Sequence, residues 1–313
     1  SGNWLWAETI VNSGISQNSE VTVSDIVVAS NGDIFATGMF YESATFGSIV
    51  LTSTGYYDFW IAKLTSSGQW AWAEALHGNG DYDGTLVTTL DVVWGTSITT
   101  DSNNDVYAGG LFLGNTDVGV ATDTGGQSSA DIEVFIAKYS NSGNLQWTEV
   151  ARGSGAQEVN SMIADSNNNI WIATTFEISM AFGSYTANAG INEVPAGIAK
   201  IDSSGNWQAA YATVGNGQPV VTGFDFDSSN DLLMTGVFSN SLTFGNQISS
   251  AGSTDAFIAS ISPSGTWNWG KSIGGSSYDT SSNIIYDSIT GYTIVGMTSS
   301  SSFSFGGNSF SPR

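Results

Sequence analysis

Three kinds of residue in this chain could do chemistry: acids in Asp-Ser-Asn turns, tryptophans spaced two apart, and a handful of cations. The turns DSNND (101–105), DSNNN (165–169) and DSSND (227–231) place oxygen-bearing side chains at alternating positions, as a calcium loop does. The candidate ligands are Asp101, Asp105, Asp165, Asp227 and Asp231. An EF-hand loop also needs a further glycine and a distal glutamate, and these turns lack both. Asp and Asn favour tight turns for another reason: their side chains bond to nearby backbone and tolerate left-handed geometry. A turn is the preferred reading, calcium the alternative, and no other cofactor is implied.

The pairs Trp4/Trp6, Trp70/Trp72 and Trp267/Trp269 each put two indoles on one side of a strand. Such a face could stack on sugar rings or wedge between packed sheets. Recurrence at one repeat position, with Trp6, Trp72, Trp147 and Trp269 as the periodic set, favours packing. Lys63, Lys138 and Lys200 also share one position, with Ser260 as the fourth member. A catalytic lysine is needed once, so a recurring one predicts a structural pair. Its expected partner is Asp58, Glu133 or Asp255 at the start of the same strand, or a neighbouring acid. His77 is the single histidine and the chain has no cysteine. That excludes a two-histidine metal cage, thiolate sites and a cysteine nucleophile. No nucleophile elbow, phosphate loop or zinc motif is present. No catalytic residue is therefore assigned. A glycosidase using two acids ranks last among the functional readings.

The elements that carry these residues repeat. SGNWLWAE at the start returns as SSGQWAWAE (66–74), NSGNLQWTE (141–149), SSGNWQAAY (203–211) and PSGTWNWGK (263–271). The repeats run over about 2–67, 68–142, 143–204, 205–264 and 265–313, the last incomplete. In each, a first hairpin of alternating apolar runs (strands A and B) flanks an Asn- or Asp-rich turn, as in SDIVVASNGDIFATGMF (24–40). A second hairpin (strands C and D) turns at Ser-Gly, as in DFWIAKLTSSGQWAWAEAL (58–76). Between B and C lies an insert with Phe-Gly, at Phe46-Gly47, Phe182-Gly183, Phe244-Gly245 and Phe305-Gly306. Four antiparallel strands per repeat, repeated around an axis, predict an all-β propeller of five blades in one domain. The opening strand would close the ring by joining the last blade. No FIAK-like strand C follows the last A–B pair. FSFGGNSFS (303–311) bends into its place, or the native chain continues, or a neighbouring molecule supplies the strand.

The DAFIAS (255–260) and FIAK (135–138) strands, the Ser-Gly turn, the Trp strand and the Asp-Ser-x-Asn turn resemble the SBBP repeats of bacterial and archaeal β-propellers. The resemblance covers essentially the whole chain. The family name implies seven blades, against five counted here. It also implies an extracellular or surface-anchored module and assigns no catalytic residue.

Composition points the same way. Charged residues are 11% of the chain, against about a quarter on average. Acids outnumber Lys and Arg 28 to 6, for a net charge of −22. That field repels nucleic acid and anionic membranes. No apolar run is long enough to span a membrane. The chain begins inside a repeat, as a processed or trimmed product would. Expected partners are other surface proteins or copies of itself, with glycans as the alternative, outside a microbial cell or on its surface. The A–B and C–D turns should share one end of the repeat. The long D–A loops at the other end hold the unique residues His77, Asp81, Tyr82, Asp83, Arg152, Glu158, Tyr278 and Asp279, where a ligand would bind.

Overall fold

The computed structural model describes every residue except 1, 4, 15, 17–18, 55, 78–91, 114–116, 119–120, 123–131, 156, 192, 306–307 and 312–313. Among the described residues there is no helix, and every strand ladder is antiparallel. The chain forms two compact units, Ser1–Ala151 and Arg152–Arg313.

In the first unit, the opening repeat runs β1 (Ile10–Asn12), β2 (Glu20–Val28), β3 (Ile34–Tyr41), β4 (Ser43–Phe46), β5 (Ile49–Thr52), β6 (Asp58–Leu64) and β7 (Trp70–Leu76). Strands β2, β3, β6 and β7 make a sheet in chain order and are strands A to D of the sequence repeat. The second repeat runs β8 (Val92–Thr100), β9 (Val106–Leu113), β10 (Asp117–Val118), β11 (Ala121–Thr122), β12 (Ile132–Tyr139) and β13 (Leu145–Gly153). Here β8, β9, β12 and β13 play the same four parts. Phe35, Phe59, Ile98, Phe112 and Phe135 pack together between the two sheets. Strand C is apolar on both faces, as in FWIAKL, because it lies inside a sheet that is covered on both sides.

The second unit repeats the plan. β14 (Val159–Ala164), β15 (Ile170–Thr175), β16 (Ser179–Phe182), β17 (Tyr185–Asn188), β18 (Ala196–Ile201) and β19 (Trp207–Ala212) form the third repeat. The fourth has β20 (Val220–Phe226), β21 (Leu232–Phe238), β22 (Ser241–Phe244), β23 (Asn246–Ser249), β24 (Asp255–Ile261) and β25 (Trp267–Gly275). The last has β26 (Asp279–Asp287), β27 (Gly291–Thr298), β28 (Phe303–Phe305) and β29 (Asn308–Phe310). Its A and B strands, β26 and β27, stand as a two-stranded sheet.

Two irregularities recur. Each A–B ladder slips by one residue at the same place: Val23/Asp25, Gly95/Ser97, Val159/Ser161, Val221/Gly223 and Ser281/Asn283. Each C–D ladder slips at the residue after the periodic position, at Lys63/Leu64, Lys138/Tyr139, Lys200/Ile201 and Ser260/Ile261. Such bulges raise local twist.

The Phe-Gly inserts are short hairpins. β4 pairs with β5, β16 with β17, and β22 with β23. The tail belongs to this class. β28 pairs with β29 and also with β25, the D strand of the preceding repeat, so FSFGGNSFS takes the insert position and not that of strand C. The opening segment behaves likewise: Ile10 of β1 faces Phe46, as Ile273 of β25 faces Phe305. Strand pairing of this segment starts at Ile10, later than the Trp4–Glu8 expected from sequence, and residues 5–9 form no strand.

Candidate functional site

The periodic lysines reach across their sheet to the A–B turn. Lys63 Nζ lies 2.7 Å from Asp33, and Lys138 Nζ lies 3.2 Å from Asp105. Asp58, Glu133 and Asp255, the partners considered at the start of strand C, are not the ones engaged. In an antiparallel sheet the sixth residue of strand C stands beside the turn that opens strand B, whereas its own first residue is at the far end. Each ammonium also covers the second residue of strand B: Lys63 over Phe35, Lys138 over Tyr107, Lys200 over Trp171. In the third repeat the turn acid is replaced by Asn169, and Lys200 donates to the Pro263 carbonyl of the next repeat at 3.4 Å. Lys63 likewise donates to Asn141 in the following repeat. The hydrogen bond from Lys63 holds the Asp33 carboxyl below the usual carboxylate range.

The candidate calcium ligands spend their oxygens on N–H and O–H donors. Asp101 Oδ1 accepts from the N–H groups of Asn103 and Asp105 at 2.9 and 3.0 Å, and its Oδ2 from the Tyr107 hydroxyl at 3.0 Å. Asp165 accepts from Asn167 and Asn169 backbone N–H groups, both at 2.9 Å, and from the Trp171 indole at 3.3 Å. Asp227 accepts from Ser229 and Asp231. Asp231 accepts from Asn268 at 2.8 Å, and burial, then Asp227, raises its pKa. These are Asx turns, each closed by an asparagine in the left-handed region: Asn104, Asn168 and Asn230 at φ 62°, 62° and 63°. That geometry has a second use. Asn104 accepts from Ser30 at 2.8 Å and Asn230 from Ser166 at 3.4 Å, so neighbouring repeats are stitched turn to turn. Among the described residues no three His, Asp or Glu side chains cluster as a metal site would require.

The tryptophans are wedges. The first of each pair lies against the insert phenylalanine: Trp70 on Phe46, Trp207 on Phe182 and Trp267 on Phe244, with ring centroids 5.0–5.1 Å apart. The second reaches the next repeat. Trp72 donates to the Asn141 carbonyl at 3.0 Å and stacks on Tyr139. A side chain placed at Gly68 would collide with the Trp6 ring, and one at Gly143 with the Trp72 ring. Trp269 packs on Tyr292 of the last repeat, whereas Trp147 lies edge-on to Tyr107 of its own repeat. In the third repeat Ala209 stands at the second Trp position, and Tyr211, two residues on, covers Gly265 instead. Spacing in the sequence does not show that substitution.

Two residues expected in the D–A loops lie in strands instead, Arg152 in β13 and Asp279 at the start of β26, because the D and A strands run further than the apolar pattern shows. His77 Nδ1 sits 2.7 Å from the fully buried Asp58 Oδ2, which also accepts the Thr54 N–H. Asp279 is buried and accepts from Gly275 N–H, Thr298 and Ser300. Burial acts to raise its pKa, but those hydrogen bonds outweigh it and the carboxyl is lowered. Glu158 accepts from Asn160 at 2.9 Å. Arg152 is exposed, and Tyr278 is 53% exposed. Asp81, Tyr82, Asp83 and Trp4 lie outside the described residues.

One site was not visible as chemistry in the sequence. The edge of β27 that faces away from β26 has no partner strand among the described residues. Its counterparts β3, β9, β15 and β21 are paired on both edges and almost wholly buried. On β27, Val295 and Met297 are 58% and 75% exposed. Beside it opens a cavity of about 300 Å³ whose lining includes Ile273, Gly296, Met297, Phe303, Phe305 and Phe310.

Comparison with known proteins matches residues 153–176, the third A–B hairpin, to the two component regulator propeller family. An uncharacterized WD repeat-containing protein (L264) of Acanthamoeba polyphaga mimivirus is 31% identical over 209 residues, 59% of this chain. The chain spans only 15% of that relative's length. Among solved structures, Hadza microbial sialidase Hz136 is 14% identical with a TM-score of 0.35, over 83% of this chain and 60% of its own. That score is too low to establish a shared fold. With the repeated antiparallel sheets, the two sequence matches show that the chain is built of β-propeller repeats.

Proposed function

We propose that the chain is a non-enzymatic scaffold, working outside a microbial cell or on its surface as a structural or adhesive module. Its partners are other surface proteins or copies of itself. In this reading the repeats are of the SBBP type and form five blades, and the N-terminal strand completes the ring. The observation that carries it is the use made of the periodic side chains. Lys63, Lys138, Asp101, Asp165 and Trp72 have their polar atoms engaged within or between repeats, where a catalytic group would be held ready for substrate. A glycan-binding reading has one feature in its favour, the half-exposed Tyr278 in a D–A loop.

Antibody labelling of intact and permeabilised source cells tests the surface assignment. Labelling of intact cells is expected; signal only after permeabilisation would remove it. Turnover of a glycoside panel that is lost on a single Asp→Asn change would remove the non-enzymatic part.

A further inference from the structure

The unpaired edge of β27 has four templates in the same chain. In each complete repeat, strand B is followed in the sheet by strand C: β3 by β6, β9 by β12, β15 by β18 and β21 by β24. The fit between B and C is steric and recurs at one position. Gly38 faces Trp60, Gly110 faces Phe135 and Gly236 faces Phe257. At each of these glycines the aromatic side chain of strand C lies so near that a Cβ would stand about 3 Å from it, at 3.0, 2.8 and 2.8 Å. The third repeat exchanges the roles: strand B carries Thr174 and strand C carries Gly197 opposite it. There Phe176, one residue past strand B, takes the place of the strand-C ring: a Cβ at Gly197 would stand 3.1 Å from it.

Gly296 is the equivalent glycine of the last repeat. Like the others it faces a strand-A carbonyl, that of Thr280, and the nearest atoms around it are backbone atoms of Thr280 and Ser281. No ring atom is among its three nearest neighbours, and it lines the cavity of about 300 Å³. The tail hairpin does not fill the position, since β28 is bonded to β25. Among the described residues a second copy of the chain has no such strand to spare, because β6, β12, β18 and β24 are each bonded on both edges.

We infer that the free edge of β27 binds an extended strand with the chemistry of strand C, antiparallel to it, with an aromatic side chain opposite Gly296. The strand continues the hydrogen-bonded ladder begun by β26 and β27, and it is supplied by a partner polypeptide that carries such a segment. The site also selects at the sixth residue. Elsewhere a lysine there rests on Phe35, Tyr107 or Trp171 and pairs with Asp33 or Asp105. Here Thr293 and Gly291 stand at those two positions, so neither the ring nor the acid is available. The fitting residue is small and polar, as Ser260 is opposite Leu233. DAFIASI is therefore a better match than DFWIAKL. This inference deepens the scaffold reading by naming the partner's chemistry, and it is tested on the purified chain alone, so its failure leaves the surface assignment standing.

The test titrates the 313-residue chain with a peptide of residues 254–262, TDAFIASIS, and follows its melting temperature. A saturable rise is expected, with roughly tenfold or more weaker binding for the peptide carrying F257A and for one carrying S260K, and none for a scrambled sequence. No shift with the parent peptide, or equal shifts with the parent and F257A peptides, would overturn it. So would a stable dimer of the chain in which the β27 amides are protected without peptide, because a second copy would then be the occupant.

Discussion

Lys63 shows how a single side chain holds two neighbouring repeats. It forms an ion pair with Asp33, covers Phe35 and donates to Asn141 of the next repeat, and it is largely buried in doing so. Replacing it with Met keeps the stem but removes the charged donor from Asp33 and Asn141, leaving Asn31 and Ser66 as donors to the first and Trp72 to the carbonyl of the second. A loss of about 1.5–3 kcal/mol is expected from chemical denaturation at neutral pH. The sign with pH follows from Asp33. Its folded pKa is depressed, so its contribution is present above the unfolded carboxylate pKa and disappears as pH falls through the folded value. The gap between Lys63→Met and wild type should therefore be widest near neutrality and shrink in acid. An equal gap at both pH values would contradict the pairing. The periodic lysine was legible in the sequence as structural; its partner was not, because only the antiparallel register shows that the sixth residue of strand C lies beside the A–B turn.

At the scale of the element, the A–B and C–D hairpins could be read from alternation and turn residues, and they stand where the pattern put them. The Phe-Gly insert could be located but not placed. In the tail β28 lies on β25, and in the first repeat β4 lies on β1; pairings between segments so far apart in the chain leave no periodic mark in either strand. The bulges were equally silent, since Ser24, Thr96 and Thr222, which they skip, are ordinary strand residues. The contact between one repeat's D strand and the next repeat's C–D turn gives a direct test. Gly143 has φ 91° and would drive a Cβ into the Trp72 ring. Gly143→Ala should cost about 1 kcal/mol or more. Combined with Trp72→Ala in a double-mutant cycle, it should show a coupling of about 0.5–3 kcal/mol. Strict additivity would mean that the glycine serves only its turn.

For the whole molecule, one repeat plan is used four times in full and once in part. The last copy has strands A and B and an insert, yet among the described residues its B strand has no partner on the edge that the other four have covered. The missing FIAK-like segment was legible in the sequence. What it leaves behind was not, because a glycine at 296 means little until Gly38, Gly110 and Gly236 are seen beneath aromatic side chains. Hydrogen–deuterium exchange resolved by strand measures this most directly, comparing β27 with β21 in the chain on its own. If the strand-C position is vacant, alternate amides of β27 lack a partner and should exchange far faster than those of β21, which is paired on both edges. Protection of β27 equal to that of β21 would contradict the vacancy.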